Sequence, residues 1–482
     1  MKLTTSSITW GLGNLIVFYI GFFIQQYNAC LSSLDRLQYS VYFSRGAGLV
    51  LAMCMPLVIL PMCKHTITFL RKSSKFIRSN FPYNCLLMHR YAGTSISIFT
   101  IVHTVSHYVN FYTAQKLGIN TTIRIHYDTY AGISGHIMLM SLFTLLIYSG
   151  RYFRTYLYDK FNFYHKFYWV MFFAFLFHGV GCFVKMNNGK CAPYYSDAYF
   201  VPVLLIFLIE RMYRWTRKPV FINKTVFFDD ACAIYFTKNT LRYLPGQYLL
   251  INYPQIDKTY HPFTITSCPE SEDHISVVIR GLGDWTKKFK EIQSNLDQVT
   301  NQNWINIDGP FSSPCDRVND FDDLIFVATG IGITPFISIM KNYTFNYEKS
   351  EGVVEKRITL IWINRENENF DWFDEELKEI SESVPENYLG INVYLTESFF
   401  EPSLVKEISY GEQPNYIQGT KIPLNYGRPN FDYLFRSYLN SGLSGNVGVF
   451  TCANNSVNSC LKDICRDYTN RQTKFTLVSE IF

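Results

Sequence analysis

Two apolar stretches of this chain each carry a pair of histidines at nearly the same spacing, and that repetition constrains the fold more than any other feature. His89 and His103 stand 14 residues apart in LMHRYAGTSISIFTIVHTVSHYVNF, and His165 and His178 stand 13 apart in FNFYHKFYWVMFFAFLFHGVGCF. An imidazole inside a bilayer is costly unless it has a job. At about 1.5 Å of rise per residue, each pair spans roughly 20 Å of helix. Two such helices facing each other could hold two haems, one above the other, and bis-histidine haem iron carries electrons. A single histidine in an apolar helix is most often packed or hydrogen-bonded. Four at matching spacings on two segments argue for ligation. At about 100° per residue, His89 and His103 differ by roughly 40° and share a face, whereas His165 and His178 come out roughly 140° apart. A tilt or a local departure from α geometry must absorb that angle. His65 and His126 read as loop residues, and His136 has no partner at this spacing.

The rest of the chain divides unevenly around those segments. Hydrophobic residues make up 48% and charged residues 17% of 482, but the apolar runs crowd into residues 1–215, and the remainder reads as ordinary α/β sequence. Six segments are long enough to span a bilayer or nearly so: 8–27, 44–63, 88–112, 131–150, 165–186 and 198–213. The first has only Lys2 as a basic flank and no A-x-A-like site, so it reads as an uncleaved anchor. Lys64, Arg71, Lys72, Lys75 and Arg78 follow the second span. Arg151, Arg154 and Lys160 follow the fourth, and Arg211, Arg214, Arg217 and Lys218 the sixth. Positive-inside logic puts these stretches, both termini and the second half in the cytosol. His89 and His165 then lie near the cytosol, while His103 and His178 lie toward the outer leaflet. The 113–130 loop faces outward and carries the sequon Asn120-Thr121-Thr122. The net charge of +5 is modest, and no basic tract argues for nucleic acid. The twelve cysteines show no metal-type spacing, which suits reduced, buried thiols; Cys182 and Cys191 flank a short loop and could bridge if it is extracytosolic.

After the last span, the runs KTVFFDD, ACAIYFTK and QYLLINYP suggest a small antiparallel barrel. TYHPFTITSCP, with Tyr260, His261, Pro262, Phe263 and Thr264, offers an aromatic wall for a flavin ring. Arg280, Trp285 and Thr286 in IRGLGDWT offer donors for a pyrophosphate, although HPFT alone could be a plain strand with a turn. DDLIFVATGIGITPFISIMKN then reads as strand, glycine turn and helix. Gly330 and Gly332 would let a pyrophosphate approach the helix start, where Thr334 and Pro335 suit the first turn. Arg365, at the end of ITLIWIN, and Arg428, in NYGRPNF, could pair with the 2′-phosphate of NADPH, or serve as surface ion pairs. The chain ends in Ile481-Phe482, and a terminal aromatic could lie over a flavin or be frayed.

Taken in order, Arg45 in VYFSRGAG, the four histidines, His107 in HTVSH, HPFTITS, IRGLGDWT, GPF at 309–311, GIGITPF, YGRPNF and Phe482 closely resemble the NADPH oxidase catalytic subunits, within the wider ferric reductase superfamily. The resemblance runs through nearly the whole chain. It implies a membrane α-helical bundle followed by a ferredoxin-NADP reductase-like module. The expected domains are a six-helix transmembrane haem domain over 1–218, an FAD-binding β-barrel over 219–318, and an NADPH-binding α/β domain over 319–482. It further implies two b-type haems (His89 with His165, His103 with His178), and roles for Arg45 and His107 at the site of oxygen reduction. A bilayer and molecular oxygen are implied partners; cytosolic activators and small membrane subunits are typical of the family. The chain departs from the family at Ala328-Thr329, at Cys452-Ala453-Asn454 and in the SEIF ending. No EF-hand pattern precedes the first helix, so direct calcium gating is not expected.

The expected activity is transfer of electrons from cytosolic NADPH through FAD and haem to oxygen outside, releasing superoxide at a plasma, endosomal or phagosomal membrane. A ferric-chelate reductase would use the same cofactors with iron as acceptor. A non-catalytic haem scaffold or proton channel is the reading from a different class, and the intact HPFT and GIGITP motifs weigh against it.

Overall fold

The computed structural model describes residues 5–27, 39–74, 77–78, 85–118, 122–180, 196–217, 219–295, 303–352, 356–365, 371–396, 420, 422–440, 442 and 445–480. Phe482, Asn120, Cys182 and Cys191 lie outside the described residues. The chain forms two compact units: Met1–Cys63 with Asn84–Met212, and Lys64–Tyr83 with Tyr213–Phe482.

The first unit is helical. Its long elements are α1 (Thr5–Tyr27) and α2 (Tyr39–Ile59); α3 (Lys64–Ser73) belongs to the second unit, and the helices resume with α4 (Cys85–Lys116). A short α5 (Thr122–Tyr127) leads to α6 (Tyr130–Tyr148), followed by α7 (Arg151–Tyr156), α8 (Tyr158–His165), α9 (Tyr168–His178) and α10 (Ser196–Trp215). Among the described residues, four stretches are long and apolar enough to cross a membrane: Ser6–Ile24, Tyr39–Met62, Cys85–Lys116 and Tyr130–Tyr148. They match the first four expected spans. The fifth expected span is represented by α9, and the sixth by α10, which carries Asp197, Glu210, Arg211 and Arg214. Small residues let α1 and α2 approach closely: a Cβ at Gly46 would stand 2.7 Å from the carbonyl oxygen of Phe18. Polar side chains tie α1 to α4, with Trp10 Nε1 and Asn14 Nδ2 each donating to Ser95 Oγ at 2.8 Å.

The 140° mismatch in the second histidine segment has a local cause. The helix stops at His165, Lys166 and Phe167 form a turn, and a new helix starts at Tyr168. Two histidines that an unbroken helix would point apart are thereby brought round to one side. Two loop assignments are corrected: His65 lies on α3 and His126 on α5, because each segment closes its own backbone hydrogen bonds.

The second unit holds two six-stranded sheets. β1 (Val220–Phe227), β2 (Ala231–Thr237), β3 (Tyr248–Asn252), β4 (His261–Thr264), β5 (His274–Arg280) and β6 (Trp304–Phe311) pair antiparallel in the order β4-β3-β6-β1-β2-β5, with α11 (Asp284–Asn295) after β5. Alternating apolar positions fill the barrel with Ile234, Phe236, Leu249, Ile251, Val277 and Ile279, all fully buried. The other sheet is parallel: β7 (Asp323–Thr329), β8 (Ile358–Asn364), β9 (Leu389–Leu395), β10 (Leu424–Tyr426), β11 (Gly445–Cys452) and β12 (Thr473–Ser479), in the order β10-β9-β8-β7-β11-β12. Its strands are near-continuous apolar runs because helices cover the sheet: α12 (Thr334–Lys349), α13 (Asp374–Ser383), α14 (Phe431–Asn440) and α15 (Asn455–Tyr468). Phe326 and Phe336 stack with centroids 4.6 Å apart, both fully buried, and each such side chain contributes roughly 1.5–3 kcal/mol by burial. The strand order reverses between β7 and β11, and the ends of those two strands are where an open α/β sheet takes its ligand.

Candidate functional site

In the helical unit the structure brings the four histidines together in the pairs expected. The rings of His89 and His165 have centroids 6.1 Å apart, and those of His103 and His178 6.3 Å. A nitrogen bound to a first-row metal lies about 2.0 Å from it and the ring centre roughly 1.1 Å beyond, so two imidazoles across one metal sit about 6.2 Å apart. Both pairs therefore have a separation that one metal ion could bridge.

The second nitrogen of every ring is also accounted for. His89 Nδ1 donates to the Val58 carbonyl at 2.7 Å and His103 Nδ1 to the Ser44 carbonyl at 2.9 Å. A carbonyl can only accept, so each Nδ1 carries the proton and Nε2 keeps its lone pair. His178 Nδ1 lies 2.9 Å from Ser134 Oγ, and His165 Nδ1 lies 3.2 Å from Ser149 Oγ. The Ser134 hydroxyl already donates to the Tyr130 carbonyl at 2.5 Å, so it accepts from His178. Partners of this kind fix the tautomer and aim of a ligand ring. Glycines let the rings approach: a Cβ at Gly48 would stand 3.4 Å from His103 Cε1, and one at Gly135 3.4 Å from His178 Cε1. Residues in these positions could hold two haems, one per pair.

The serines were missed in the sequence, although a signal was there. Ser134 and Ser149 stand 15 residues apart on or just after α6, and Ser44 and Val58 stand 14 apart on α2, repeating the histidine spacing. At the far end, His107 packs on His103 with centroids 4.4 Å apart. Arg45 directly follows Ser44, whose carbonyl holds His103, so Arg45 and His107 belong to the same end of the bundle.

In the second unit, the HPFT strand and IRGLGDWT meet. The rings of His261 and Trp285 are 4.4 Å apart and those of Phe263 and Trp285 5.9 Å. His261 Nε2 and Trp285 Nε1 are buried with no hydrogen-bond partner among the described residues, which suits a wall waiting for a polar ring system. Burial holds the His261 imidazole below its usual pKa, against the opposing pull of Asp257. Tyr260 lies under the Arg214 guanidinium at 4.9 Å. Pro262 and Thr264 pair with Leu250 and Tyr248 in the barrel, and Thr286 Oγ1 closes the turn by donating to the Gly283 carbonyl at 2.9 Å.

Arg280 joins the flavin motif to the nucleotide motif. Its Nε binds Asp230 Oδ2 at 2.6 Å, its plane lies over Trp372 at 5.1 Å, and its Nη1 would be 3.2 Å from a Cβ at Gly330. Asp230 and Trp372 were not legible as parts of this site. Gly330 has φ +52°, a conformation that suits glycine, and its carbonyl accepts from the fully buried Trp362 indole at 2.9 Å. A Cβ at Gly332 would strike the Cys452 carbonyl oxygen, so the glycine turn lies against the end of β11. Thr334 and Pro335 begin α12, Arg365 directly follows β8, and Arg428 lies two residues past β10. All of these occupy the carboxyl edge of one parallel sheet. Buried Glu480 is also here: its amide donates to Thr451, Cys315 Sγ lies 3.5 Å from Oε2, and burial pushes its carboxyl up to about 8.

A further cluster was unforeseen. Asp308, on β6, is fully buried and takes His65 Nε2 at 2.8 Å and Arg214 Nε at 2.7 Å. Burial alone would raise this carboxyl; the hydrogen bond from His65 and the charge of Arg214 hold it below its ordinary value. It fastens α3 and the start of the second chain segment to the barrel. Nine cysteines are described, all free and seven of them buried.

Comparison with known proteins agrees with this division. Residues 47–177 match a ferric reductase like transmembrane component, 220–315 an FAD-binding domain, and 321–466 a ferric reductase NAD binding domain. In this order the three define a membrane flavoprotein reductase. The chain is 27% identical over 504 residues to a "Superoxide-generating NADPH oxidase heavy chain" protein of Dictyostelium discoideum, covering 97% of this chain and 94% of that protein. It is 25% identical over 503 residues to "NADPH oxidase 3" of Homo sapiens, covering 89% and 88%. "Dual oxidase 1" of Rattus norvegicus is 25% identical over 468 residues, covering 90% of this chain but 30% of that protein. The chain carries the domains of a ferric reductase in order and is similar over nearly its whole length to NADPH oxidases.

Proposed function

We propose that this chain is a superoxide-generating NADPH oxidase that moves electrons from cytosolic NADPH across a membrane to molecular oxygen. The observation that carries the reading is the pair of imidazole couples, with ring centroids 6.1 and 6.3 Å apart and every Nδ1 hydrogen-bonded. Bound FAD would take a hydride from NADPH and release single electrons, which two b-type haems would carry outward one at a time.

The chain's own residues have separable tasks. His89 and His165 would hold a haem on the cytosolic side, and His103 and His178 one on the outer side. Tyr260, His261, Pro262, Phe263 and Thr264 would wall a bound flavin, and Arg280, Trp285 and Thr286 would hold its pyrophosphate. Gly330, Gly332, Thr334, Pro335 and Cys452 seat the NADPH pyrophosphate and nicotinamide end, and Arg365 and Arg428 receive the 2′-phosphate. Arg45 and His107, at the same end of the bundle as His103, would favour a superoxide anion forming there, bound haem supplying the electron. Export of each electron from a negative cytosol is favoured by about 2.3 kcal/mol per 100 mV, and the export itself depolarises the membrane. Six spans, a domain order of 1–218, 219–318 and 319–482, and cytosolic termini fit this direction. The plasma, endosomal or phagosomal membrane is the setting, and the candidate partners are cytosolic activators and a small membrane subunit.

The test is cytochrome c reduction by membranes supplied with NADPH. Superoxide dismutase should abolish the signal, and chelating iron should leave it unchanged. A signal that needs iron and ignores the dismutase would make the chain a ferric-chelate reductase.

A further inference from the structure

The barrel and the parallel sheet share a packed seam: Ala231, Ala233 and Val278 of the barrel are buried in one cluster with Phe326, Phe336 and Trp372. A charged group crosses it. Arg280 ends β5 and pairs with Ala231, which Asp230 immediately precedes. The Asp230 carboxylate accepts twice, from Arg280 Nε at 2.6 Å through Oδ2 and from the Trp372 indole at 3.0 Å through Oδ1. The Arg280 guanidinium lies over Trp372, 5.1 Å from the ring centroid. The Asp230 carbonyl takes the Gly281 amide at 2.8 Å, which pins its backbone to the strand end that carries Arg280. Three side chains thus close a triangle of one ion pair, one hydrogen bond and one cation–π contact.

The triangle fixes where the rest of the guanidinium points. Nε is spent on the carboxylate, and Nη1 would be 3.2 Å from a Cβ at Gly330. Gly330 opens the glycine turn after β7 with φ +52°, and its carbonyl is held by the Trp362 indole at 2.9 Å. A side chain here would meet both a strained backbone and the arginine. A glycine turn leading into a helix suits a phosphate group, and a planar guanidinium grips one with two parallel N–H groups. The Arg280 and Asp230 side chains are 28% and 40% exposed, so the charged end of the triangle is open to a ligand, while Trp372 is buried. A staple between domains needs no placement on the turn; a phosphate clamp does.

We propose that Asp230 and Trp372 aim Arg280 across the seam, so that this arginine of the barrel binds the pyrophosphate of NADPH at the glycine turn. The proposal rests on the oxidase reading and adds two positioning residues to it. Asp230 sets the rotation of the guanidinium, and Trp372, from the sheet domain, supplies the flat face on which it lies. Arg280 also stands at the flavin pyrophosphate in that reading, so one cation serves both dinucleotides. The nicotinamide nucleotide is then gripped by both domains at once.

The experiment measures binding as well as turnover. The whole chain, purified in detergent with its cofactors, is titrated by calorimetry with NADP+ and with 2′-AMP, which carries the 2′-phosphate but no pyrophosphate. Asp230→Asn should weaken NADP+ by about tenfold, as loss of a charge-assisted hydrogen bond does, and leave 2′-AMP unchanged. Trp372→Phe keeps an aromatic face and removes only the N–H; it should weaken NADP+ several-fold and decides the matter if Asp230→Asn fails to fold. In turnover the change should fall on KM rather than kcat, and by the same factor for NADPH and NADH, because both carry the pyrophosphate. FAD per polypeptide should stay as in wild type. Unchanged NADP+ affinity in the folded variants overturns the proposal, and so does parallel loss of FAD and NADP+, which would make the triangle a staple. Failure of wild type to bind NADP+ would instead overturn the oxidase reading.

Discussion

The two units close their interiors in opposite ways. In the sheet-based unit, Phe326, Phe336 and Trp362 are fully buried, and the core is complete without any added group. In the helical unit, the four paired histidines are only half-buried, and glycines stand against two of them. The first kind of packing is self-sufficient. The second keeps polar rings at fixed separations, as the proposed haem ligation requires. Among the described residues, the helical unit keeps paired polar rings apart, while the sheet-based unit packs an apolar core of its own.

The sharpest way to break this contrast is to remove one ring of a pair. His103→Leu or His178→Leu should lower oxygen reduction by more than about 100-fold, beyond what loss of a supporting partner costs. NADPH-driven reduction of a soluble dye should survive, because the sheet-based unit keeps its own core. Equal loss of both activities would show that the units are not separable.

A smaller effect should appear at the sheet edge. Gly332→Val forces side-chain atoms against Cys452 and should cost about 1–3 kcal/mol of local stability. NADPH turnover should collapse while the haem absorbance stays as in wild type. A variant with normal KM would remove Gly332 from the pyrophosphate site.

The smallest effect concerns Asp308. Its carboxyl is held below the ordinary value, so its stabilisation is present above the ordinary carboxylate range and is lost as pH falls through the depressed value, below about 4. Asp308→Asn should lower stability at neutral pH by about 2 kcal/mol, less than a fully buried pair because His65 and Arg214 are each partly exposed. The gap between variant and wild type should narrow as the pH is lowered. Thermal melts whose separation does not change with pH would contradict the assignment.

What could be read from the sequence followed from the same contrast. The histidine pairs were legible because imidazole is rare in apolar helices, and GIGITPF because a glycine turn between strand and helix has few other uses. The 140° discrepancy at His165 and His178 was visible, but its resolution was not, since the break at Lys166-Phe167 carries no proline or glycine. Ser134, Ser149, Asp230, Trp372 and Asp308 were out of reach individually. Each gains its role from a partner distant in sequence, as Asp308 does from His65, and local pattern does not encode such meetings. His126 was assigned to a loop and His136 left unpartnered because each was judged against one spacing, whereas the fold pairs them with each other.

The central claim is that each imidazole pair clamps one haem. Haem extracted per purified polypeptide, measured as its pyridine complex, tests it most directly. Wild type should carry two and His103→Leu one. A single haem in wild type, or none, would contradict the account.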